Sequence, residues 1–535
     1  MLSDLAAGTR LFRHLPQFLR RPVSLAHARM TIQHRLASRE KDFLALAARF
    51  IYGRPASPYQ KLLRLAGCEL GDLERLVRQE GLEGALAELL RRDVYLTVDE
   101  FKGRCPAVRG TTTIDVRPDL LRNPGAKSHA PLQTGGSRGR STPVPLDLAF
   151  VRDRAADVTL VLAGWGGTNW RRAVWGVPGG AAMIHALEFS IVPTGLARWF
   201  SMLDVGASGL HPRYRWSART LRWGSLLARR PVVAPVYVPP DAPQLIIEWM
   251  ARVLREGDVP HLHTYSSAAA GIAKTALDMG RDLSGARFTM GGEPTTPARL
   301  AVVRKAGAYA IPYYSSVDSG PIAYGCCRPD APDDMHALRD FQVIVQAGDD
   351  GAARGLPARA LLLSSLRETA PYLLFNVSLG DCAVMERRAC GCPLEQEGWT
   401  AHLREVRSFE KLTAGGMTFL DVDLIRVLEE ELPRRFGGGP TDYQLVEGES
   451  EMGRPVLRLL VHPRLGDLDP PLVVTAFLDA ISVGSGAERV MGLAWRDAGT
   501  VRVDRRPPMR TSAGKILHLH AGPVVSKAAA DAGFR

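Results

Sequence analysis

The sequence predicts an α/β protein in which mixed β-sheets are flanked by helices, with a small α/β domain at the C-terminus. Residues 37–100 repeat apolar residues at three- and four-residue spacing, the pattern of amphipathic helices. From about residue 158, short β-rich runs such as VTLVLAG and PVVAPVYV alternate with helical segments. This alternation is typical of proteins built around substantial sheets with covering helices.

The domain division follows from a change of composition. The stretch around 405–420, which contains REVRSFEKLTAGGMTF, has the charged and glycine-containing character of a linker. A compact segment with its own helix (DVDLIRVLEEELPRRF) and strands follows it. We therefore expect an N-terminal domain at 1–405, with a helical part at 1–110, and a C-terminal domain at 406–535.

Composition limits the class of protein. The chain has 535 residues, 46% of them hydrophobic and 23% charged, which is the balance of a globular protein with a large core. No run approaches the roughly 18 consecutive apolar residues of a membrane-spanning helix. Seven cysteines in a chain of this length do not form a disulfide framework. A cytoplasmic protein with no membrane partner is expected.

The net charge of +12 has two interpretations. Such a charge suits nucleic acid or small polyanions. The basic residues are spread widely, and no lysine-arginine block carries interleaved aromatic residues, so no nucleic-acid partner is expected. An arginine-rich surface and a small phosphorylated ligand both remain open.

The stretch QTGGSRGRSTP at 133–143 combines backbone freedom with fixed positive charge. Successive glycines let main-chain N–H groups converge on one centre, because no Cβ atom stands in the way. Hydroxyl groups and the guanidinium groups of Arg138 and Arg140 could add contacts to phosphate oxygens. The same residue types also make solvated loops, so a phosphate cradle and a surface loop are both compatible with this stretch.

A second stretch, RRPPMRTSAGKILHL, carries a family resemblance when it is taken with the first. It resembles the C-terminal signature of the adenylate-forming superfamily of acyl-CoA synthetases, which places Lys515 as the catalytic lysine. The segment TGGSRGR resembles the phosphate loop of that superfamily, although Gly135 and Arg138 depart from its usual serine and threonine. The resemblance assigns phosphate binding to Thr134, Gly135, Gly136, Ser137, Arg138 and Gly139.

Further motifs follow in the family's order. FTMGGEPTTP resembles the Gly-Glu-Pro segment of the phenylacetate-CoA ligase branch, which implies that Gly292, Glu293 and Pro294 lie beside adenine. YYSSVDSG resembles the motif whose aromatic residue, here Tyr314, stacks on adenine.

The remaining motifs concern magnesium, ribose and the hinge. Asp318 takes the place of the family's Mg²⁺-binding glutamate. Asp381, at the end of FNVSLGD, matches the aspartate that accepts the ribose hydroxyls. VRSFEKL resembles the hinge, with Arg407 near the ribose and Glu410 and Lys411 where the C-terminal domain swivels.

The resemblance implies an ATP-dependent acid-thiol ligase with a mobile C-terminal domain. It would make an acyl- or aryl-adenylate with ATP and Mg²⁺, using Lys515 and Asp318, and pass the acyl group to coenzyme A. A second hypothesis sends the acyl group to an amine, a carrier-protein thiol or a protein side chain. A third is a degenerate protein that binds nucleotide without catalysis. The carboxylic acid is unspecified, and a homodimer is left open.

Cysteine and histidine cluster in GCCRPDAPDDMH at 325–336 and ACGC at 389–392. Cys-x-Cys with a distant cysteine and histidine offers four ligands that suit zinc, and the resembled branch sometimes carries a structural zinc. The candidate ligands are Cys327 (or Cys326), His336, Cys390 and Cys392. The alternatives are a set of buried thiols with a surface histidine, or a cysteine that carries an acyl group.

A tract rich in tryptophan and arginine lies between Trp165 and Trp223. One interpretation is core aromatics with arginines stacked on their faces. The other is an acyl or aryl pocket, because this region precedes the adenine motifs. His261 and His263 in HLHTYSSA either face that cavity or are structural.

Overall fold

The computed structural model describes most of the chain. The residues described are 2–133, 143–178, 180–204, 221–409, 413–414, 417–418, 423–449, 455–483, 495–496, 501–511 and 514–521.

The N-terminal part is helical, as the apolar spacing predicted. Its helices are α1 (Leu2–Arg20), α2 (Leu25–Ala47), α3 (Pro58–Leu65), α4 (Leu70–Arg91), α5 (Val98–Phe101) and α6 (Pro118–Leu121), with a π-helix at Ala48–Tyr52. The Ser24 side chain caps α2 by accepting a hydrogen bond from the His27 N–H. Helix α4 is interrupted at Gly81, whose φ of 69° lies in the left-handed region that favours glycine.

The strands follow in chain order. Before the main sheet come β1 (Ala107–Arg109), β2 (Thr112–Ile114), β3 (Ala130–Gln133) and β4 (Pro143–Leu146). The strands of the main sheet are β5 (Arg171–Gly176), β6 (Arg198–Ser201), β7 (Pro235–Tyr237), β8 (Pro260–Tyr265), β9 (Arg287–Gly291), β10 (Tyr309–Ser316), β11 (Gly320–Gly325), β12 (Met335–Ala337), β13 (Gln342–Gln346), β14 (Ala360–Ser365), β15 (Val377–Arg387) and β16 (Ala401–Ser408).

The main sheet is mixed, with the strand order β13-β14-β15-β16-β12-β11-β10-β9-β8-β5-β6-β7. The strands from β7 to β10 pair in parallel. The strands from β10 to β13 pair antiparallel. Strand β10 therefore lies where the two halves of the sheet meet.

Helices cover both faces of the parallel half. They are α7 (Leu148–Gly164), α8 (Ala181–Ser190), α9 (Gln244–Arg255), α10 (Ser266–Asp278) and α11 (Pro297–Lys305). Val174 packs in one hydrophobic core with α7 and α8, whereas its neighbours Ala173 and Trp175 pack in a second core with α9, α10 and α11. The period-two alternation of the strand side chains thus divides the core into two layers.

The C-terminal part has a sheet and a core of its own. Its strands β19 (Tyr443–Glu449), β20 (Pro455–Val461), β21 (Val501–Asp504) and β22 (Leu519–Ala521) pair in the order β21-β20-β19-β22. Its helical segments are α13 (Asp423–Arg426), α14 (Leu432–Phe436), α15 (Pro470–Ile481) and a π-helix at Val427–Glu431. The short helix α12 (Pro393–Gln396) belongs to the preceding part of the chain. A short hairpin, β17 (Thr413–Ala414) with β18 (Met417–Thr418), precedes α13.

The predicted fold class, helices around mixed sheets with a small C-terminal α/β part, is confirmed. Strand β16 ends at Ser408, so the large sheet continues beyond residue 405, where the sequence analysis placed the boundary. A membrane-crossing helix would have to be long and apolar, and none of the helices in the described ranges meets that requirement.

Candidate functional site

A cavity of about 590 Å³ opens at the carboxyl ends of the parallel strands. In open α/β sheets this edge is where ligands commonly bind, because the loops that follow the strands converge there. The residues that line it from strand ends include Gly176, Tyr265, Gly291 and Tyr314, and Lys515 comes from the C-terminal part. Both parts of the chain therefore build this cavity.

Lys515 lies directly over Gly292. A Cβ atom at position 292 would stand 3.2 Å from Cε and 3.3 Å from Nζ of Lys515, and Gly292 has a φ of +73°. A glycine is needed here both for the backbone conformation and for the close approach of the lysine. The ammonium group also lies 5.5 Å from the centre of the Tyr265 ring.

A tight turn presents Lys515 to the cavity. The Thr511 N–H donates to the Lys515 carbonyl at 2.8 Å, and the Lys515 N–H donates to Thr511 Oγ1 at 3.2 Å. The next residue, Ile516, donates its N–H to Glu293 Oε1 at 2.7 Å. This bond ties the lysine turn to the loop after β9.

Glu293 is bound on both oxygens by protein donors. Oε2 accepts hydrogen bonds from the Ser267 N–H at 2.7 Å and from Arg299 Nη1 at 2.9 Å, while Oε1 also accepts from the Ser267 hydroxyl at 2.9 Å. The sequence analysis expected Glu293 beside adenine. Gly292, Glu293 and Pro294 do line the cavity, but the Glu293 carboxylate joins the two parts of the chain.

A buried ionic network continues from Glu293 across the contact between the parts. Arg299 Nε lies 2.8 Å from Glu429 Oε1, and His518 Nε2 lies 2.6 Å from the same oxygen. Thr296 donates its hydroxyl hydrogen to Glu429 Oε2. Burial would by itself raise the pKa of Glu429, but Arg299 and His518 hold that pKa below its ordinary value. Glu429 is therefore a carboxylate at neutral pH.

Tyr314 and Asp381 meet on the opposite wall of the cavity. The Tyr314 hydroxyl donates to Asp381 Oδ2 at 2.8 Å, and both residues line the cavity. Burial and the neighbouring Asp381 carboxylate raise the pKa of Tyr314, so its hydroxyl stays protonated. The pair brings together the aromatic residue and the carboxylate that the sequence motifs assigned to adenine and ribose.

Strand β10 carries a bulge beside this pair. Tyr314 is opposite Ala323, but Ser315 is opposite Pro321, so the pairing register with β11 shifts between Tyr314 and Ser315. Adjacent residues of a regular strand point to opposite faces. Tyr313 and Tyr314 nevertheless both line the cavity.

Arg407 is not among the residues that line the cavity. Its neighbours Val406 and Ser408 line the cavity, and strand alternation directs Arg407 to the other face of β16. Its Nη1 donates to the Val406 carbonyl at 2.9 Å and lies 3.8 Å from Asp333. Asp333 does line the cavity. The contact of Arg407 with ribose stays a prediction, and within the protein its guanidinium lies beside Asp333.

Asp318, the residue expected to bind magnesium, pairs with a lysine that the sequence analysis missed. Lys102 Nζ lies 2.8 Å from Asp318 Oδ2, and both line the cavity together with Arg104. Asp318 Oδ1 is buried and has no hydrogen-bond partner among the described residues. One oxygen of Asp318 thus remains available to a bound cation.

The segment expected to hold phosphate, 134–142, lies outside the described residues, and with it Thr134, Gly135, Gly136, Ser137, Arg138 and Gly139. Its flanks are described: β3 and β4 pair antiparallel, with Gln133 opposite Pro143. The hinge residues Glu410 and Lys411 also lie outside the described ranges.

The candidate metal ligands converge at the antiparallel half of the sheet. The ligand atoms of Cys326, His336, Cys390 and Cys392 all lie within 4.8 Å of one another. The sequence analysis favoured Cys327, which is not part of this set; the backbone at β11 brings its neighbour Cys326 to the other three instead. Cys326 is therefore the better candidate for the fourth ligand.

The chemistry of this donor set fits zinc. His336 Nδ1 lies 2.6 Å from the Trp399 carbonyl oxygen, so it carries the hydrogen, and Nε2 faces Cys392 Sγ at 3.1 Å. A carbonyl that fixes the tautomer of a ligating histidine is a common arrangement at zinc sites. Three thiols and one imidazole are a usual structural zinc ligand set.

The far end of the cavity contains two histidines. His263 on β8 and His185 on α8 line the cavity, and their ring centres lie 3.7 Å apart. His261 is instead structural, because its Nε2 lies 2.8 Å from Thr289 Oγ1 and it packs against Trp170. Of the tryptophan-rich tract, Trp175 lines the cavity, whereas residues 205–220 lie outside the described ranges.

The functional residues that sequence reasoning missed are Lys102, His185, Ser267, Arg299 and Glu429. None of them lies in a motif on which the family resemblance rests. Arg299 comes nearest, because it closely follows the Gly-Glu-Pro segment. Several of their partners lie far away along the chain, as with Lys102 and Asp318 or Arg299 and Glu429. Sequence alone gives no signal for such pairs.

Comparison with known proteins finds matches among solved structures only. No protein-family model matches the sequence. No curated protein matches it either. Among solved structures, 2-hydroxyisobutyryl-CoA ligase in complex with 2-HIB-AMP and CoA is 15% identical, with a TM-score of 0.47, over 94% of this chain and 91% of that one.

Two further solved structures illustrate the range of the matches. O-succinylbenzoate coenzyme A synthetase (MenE) from Bacillus subtilis, in complex with ATP and magnesium ion, is 11% identical, with a TM-score of 0.41, over 73% of this chain and 69% of that one. Amide bond synthetase McbA from Marinactinospora thermotolerans is 15% identical, with a TM-score of 0.38, over 81% and 76%. At these values the likeness assigns no activity, and the function proposed below rests on the residues of this chain.

Proposed function

We propose that this protein is an adenylate-forming enzyme of the acyl-CoA synthetase superfamily, which activates a carboxylic acid with ATP. One observation carries the proposal: Lys515 of the C-terminal part enters the same cavity as the Tyr314–Asp381 pair. A cation and a hydroxyl–carboxylate pair in one cavity suit the α-phosphate and the ribose of a nucleotide.

The first half-reaction needs positioning and charge more than a covalent catalyst. A carboxylate oxygen of the acid attacks the α-phosphorus of ATP, so that an O–P bond forms. The bond between the α-phosphorus and the bridging oxygen breaks, and pyrophosphate leaves with its electron pair. Lys515 would offset the negative charge that gathers on the attacking carboxylate and the α-phosphate. Asp381 would accept hydrogen bonds from the ribose, and Tyr314 would cover the adenine.

Magnesium would be held by the free oxygen of Asp318, and when bound it would neutralise phosphate charge. Lys102 and Arg104 line the same wall and carry positive charge toward the phosphates. The segment 134–142 is proposed to bind the β- and γ-phosphates.

In the second half-reaction we propose coenzyme A as the acceptor. Its thiolate would attack the carbonyl carbon of the adenylate, forming a C–S bond while the C–O bond to AMP breaks. An amine, a carrier-protein thiol or a protein side chain is the second candidate, since no described residue discriminates between these nucleophiles. Access for the acceptor would require Lys515 to withdraw, which breaks the Ile516–Glu293 bond.

Zinc is proposed as a structural ion held by Cys326, His336, Cys390 and Cys392, remote from the chemistry. A reducing cytoplasm is proposed as the place of action, because none of the seven cysteines, all of which lie in the described ranges, forms a disulfide.

Pyrophosphate exchange into ATP, measured against a panel of carboxylic acids, tests the proposal. We expect acid-dependent exchange that Lys515→Ala lowers strongly. Mass spectrometry with and without coenzyme A then identifies the acceptor. A protein that binds ATP but shows no acid-dependent exchange with any acid would be a nucleotide-binding protein without this activity.

A further inference from the structure

The far end of the cavity holds a buried polar group with no partner. The His263 side chain is 6% exposed and lines the cavity, yet its ring makes no hydrogen bond to any residue that the structure describes. Buried polar side chains in folded proteins nearly always have a hydrogen-bond partner. An unpaired imidazole inside a cavity therefore points to a ligand that completes its hydrogen bonds.

The side chains around His263 define the charge and the hydrogen-bonding groups that a ligand must present there. His185 Nδ1 lies 2.8 Å from Glu188 Oε2, and Arg154 forms an ion pair with the other oxygen of Glu188. Glu188 and Arg154 thus neutralise each other. His185, with its Nδ1 hydrogen directed to the carboxylate, keeps an acceptor lone pair on Nε2.

Both imidazoles are uncharged at neutral pH. Burial lowers the pKa of His185, although Glu188 opposes that shift. Burial lowers the pKa of His263 as well, and His185 beside it lowers that pKa further. A charged substituent would find no counter-ion here, because Arg154 and Glu188 are already paired. A hydroxyl group, which donates and accepts at once, matches two neutral imidazoles.

The surroundings of His263 limit the shape of the ligand. Tyr265, which the Lys515 ammonium approaches, is two residues further along β8 and lies on the same face of that strand as His263. The walls are also aromatic: the Tyr313 ring lies edge-on to His263 at 5.2 Å, and Trp175 lines the cavity.

We infer that the acid activated by this protein is a hydroxylated aromatic carboxylic acid, and that His263 recognises its hydroxyl group. The inference rests on the proposed function, because it places the carboxylate of this acid at Lys515. His185 positions His263 by ring contact and supplies the second hydrogen-bonding atom.

The test is pyrophosphate exchange with benzoate and its 2-, 3- and 4-hydroxy derivatives. The wild-type protein is expected to prefer the 3- or 4-hydroxy acid to benzoate by about 10-fold or more in kcat/KM, because a site built for a hydroxyl rejects the analogue that lacks it. His263→Phe keeps the ring but removes both nitrogens. It should reduce this preference to about threefold or less, while ATP affinity measured by titration is unchanged.

His261→Gln is the matched control. His261 stands on the same strand but bonds Thr289 outside the cavity, so the preference for the hydroxy acid should survive in this variant. Three results would overturn the inference while the proposed function stands. They are equal use of benzoate and the hydroxy acids, exchange with aliphatic acids only, and a preference that His263→Phe leaves intact. Absence of exchange with every acid would overturn both.

Discussion

The main-chain N–H of Ile516 and the Glu293 carboxylate are joined by a hydrogen bond of 2.7 Å, across the contact between the large sheet and the C-terminal part. Because Ile516 directly follows Lys515, this bond fixes where the lysine turn sits. In the proposed reaction Glu293 would be a positioning residue, which acts through Lys515.

Glu293→Gln should slow adenylation by about 10-fold, because the amide group would direct hydrogens at Ile516 or Arg299 and loosen the lysine. The KM for ATP should change little. Pyrophosphate exchange at varied ATP concentration separates kcat from KM. A large rise in KM at constant kcat would show instead that Glu293 contacts the nucleotide.

Lys515→Ala should reduce adenylation by about 10²-fold or more, as expected for the loss of one strong charge contact in the transition state. Conversion of pre-made adenylate to thioester should suffer much less. Separate assays of the two half-reactions test this, with Lys274→Ala, a lysine paired with Asp278 on α10, as the control. Equal losses in both half-reactions would contradict the proposed role.

Arg299→Met should lower the free energy of unfolding by about 3 kcal/mol or more, because it leaves the Glu293 and Glu429 carboxylates buried without their cation. Denaturant unfolding measures this loss. Arg304→Met changes an exposed arginine of the same helix and should cost much less. Similar losses in the two variants would mean that the ionic network around Arg299 contributes nothing to the free energy of unfolding.

The cysteine cluster should bind about one zinc per chain. Cys326→Ser, Cys390→Ser and Cys392→Ser should each lose metal and stability, since binding energy of a structural metal is folding energy. Metal analysis of the purified proteins checks this. Cys327→Ser and Cys105→Ser should both retain zinc. If Cys327→Ser loses the metal and Cys326→Ser keeps it, the ligand assignment is reversed.

His261 should make the fold sensitive to acid. Burial, with Arg172 and Arg287 nearby, lowers the pKa of His261 to about 3, from an ordinary value of 6.5. A depressed folded-state pKa means that the stability is fully present above pH 6.5 and is lost as pH falls toward 3. The loss should reach about 2 kcal/mol by pH 5.

The control for this effect is His261→Gln, which does not titrate. Its unfolding free energy, although lower at pH 7.5, should decline less between pH 7.5 and pH 5. Parallel declines in the two proteins would assign the acid sensitivity to other groups.

The sequence predicted the features that lie within continuous stretches. Lys515, Tyr314, Asp381 and Gly292 were each indicated by their own motif, and the structure brings all of them into one cavity. The fold class followed from the alternation of β-rich runs with helical segments, although one of those runs, VTLVLAG, lies in helix α7. These features depend on residues close together in the chain.

The features that the sequence could not predict depend on contacts between distant residues. Lys102 meets Asp318 only after the sheet is assembled, and Arg299 meets Glu429 only when the C-terminal part docks. The direction of the Arg407 side chain, which lies beside Asp333, depends on the phase of β16. Cys326 and Cys327 are adjacent, and only the backbone course at the end of β11 distinguishes them.

Strand β10 limits how the proposed acid specificity could change over evolution. It presents both Tyr313, whose ring lies beside His263, and Tyr314, whose hydroxyl bonds Asp381, to the same cavity. An insertion or deletion in this strand would disturb both substrates together. Substitutions that change the acid specificity are therefore expected mainly at residues outside β10, such as Ala182 and His185 on α8 and His263 on β8.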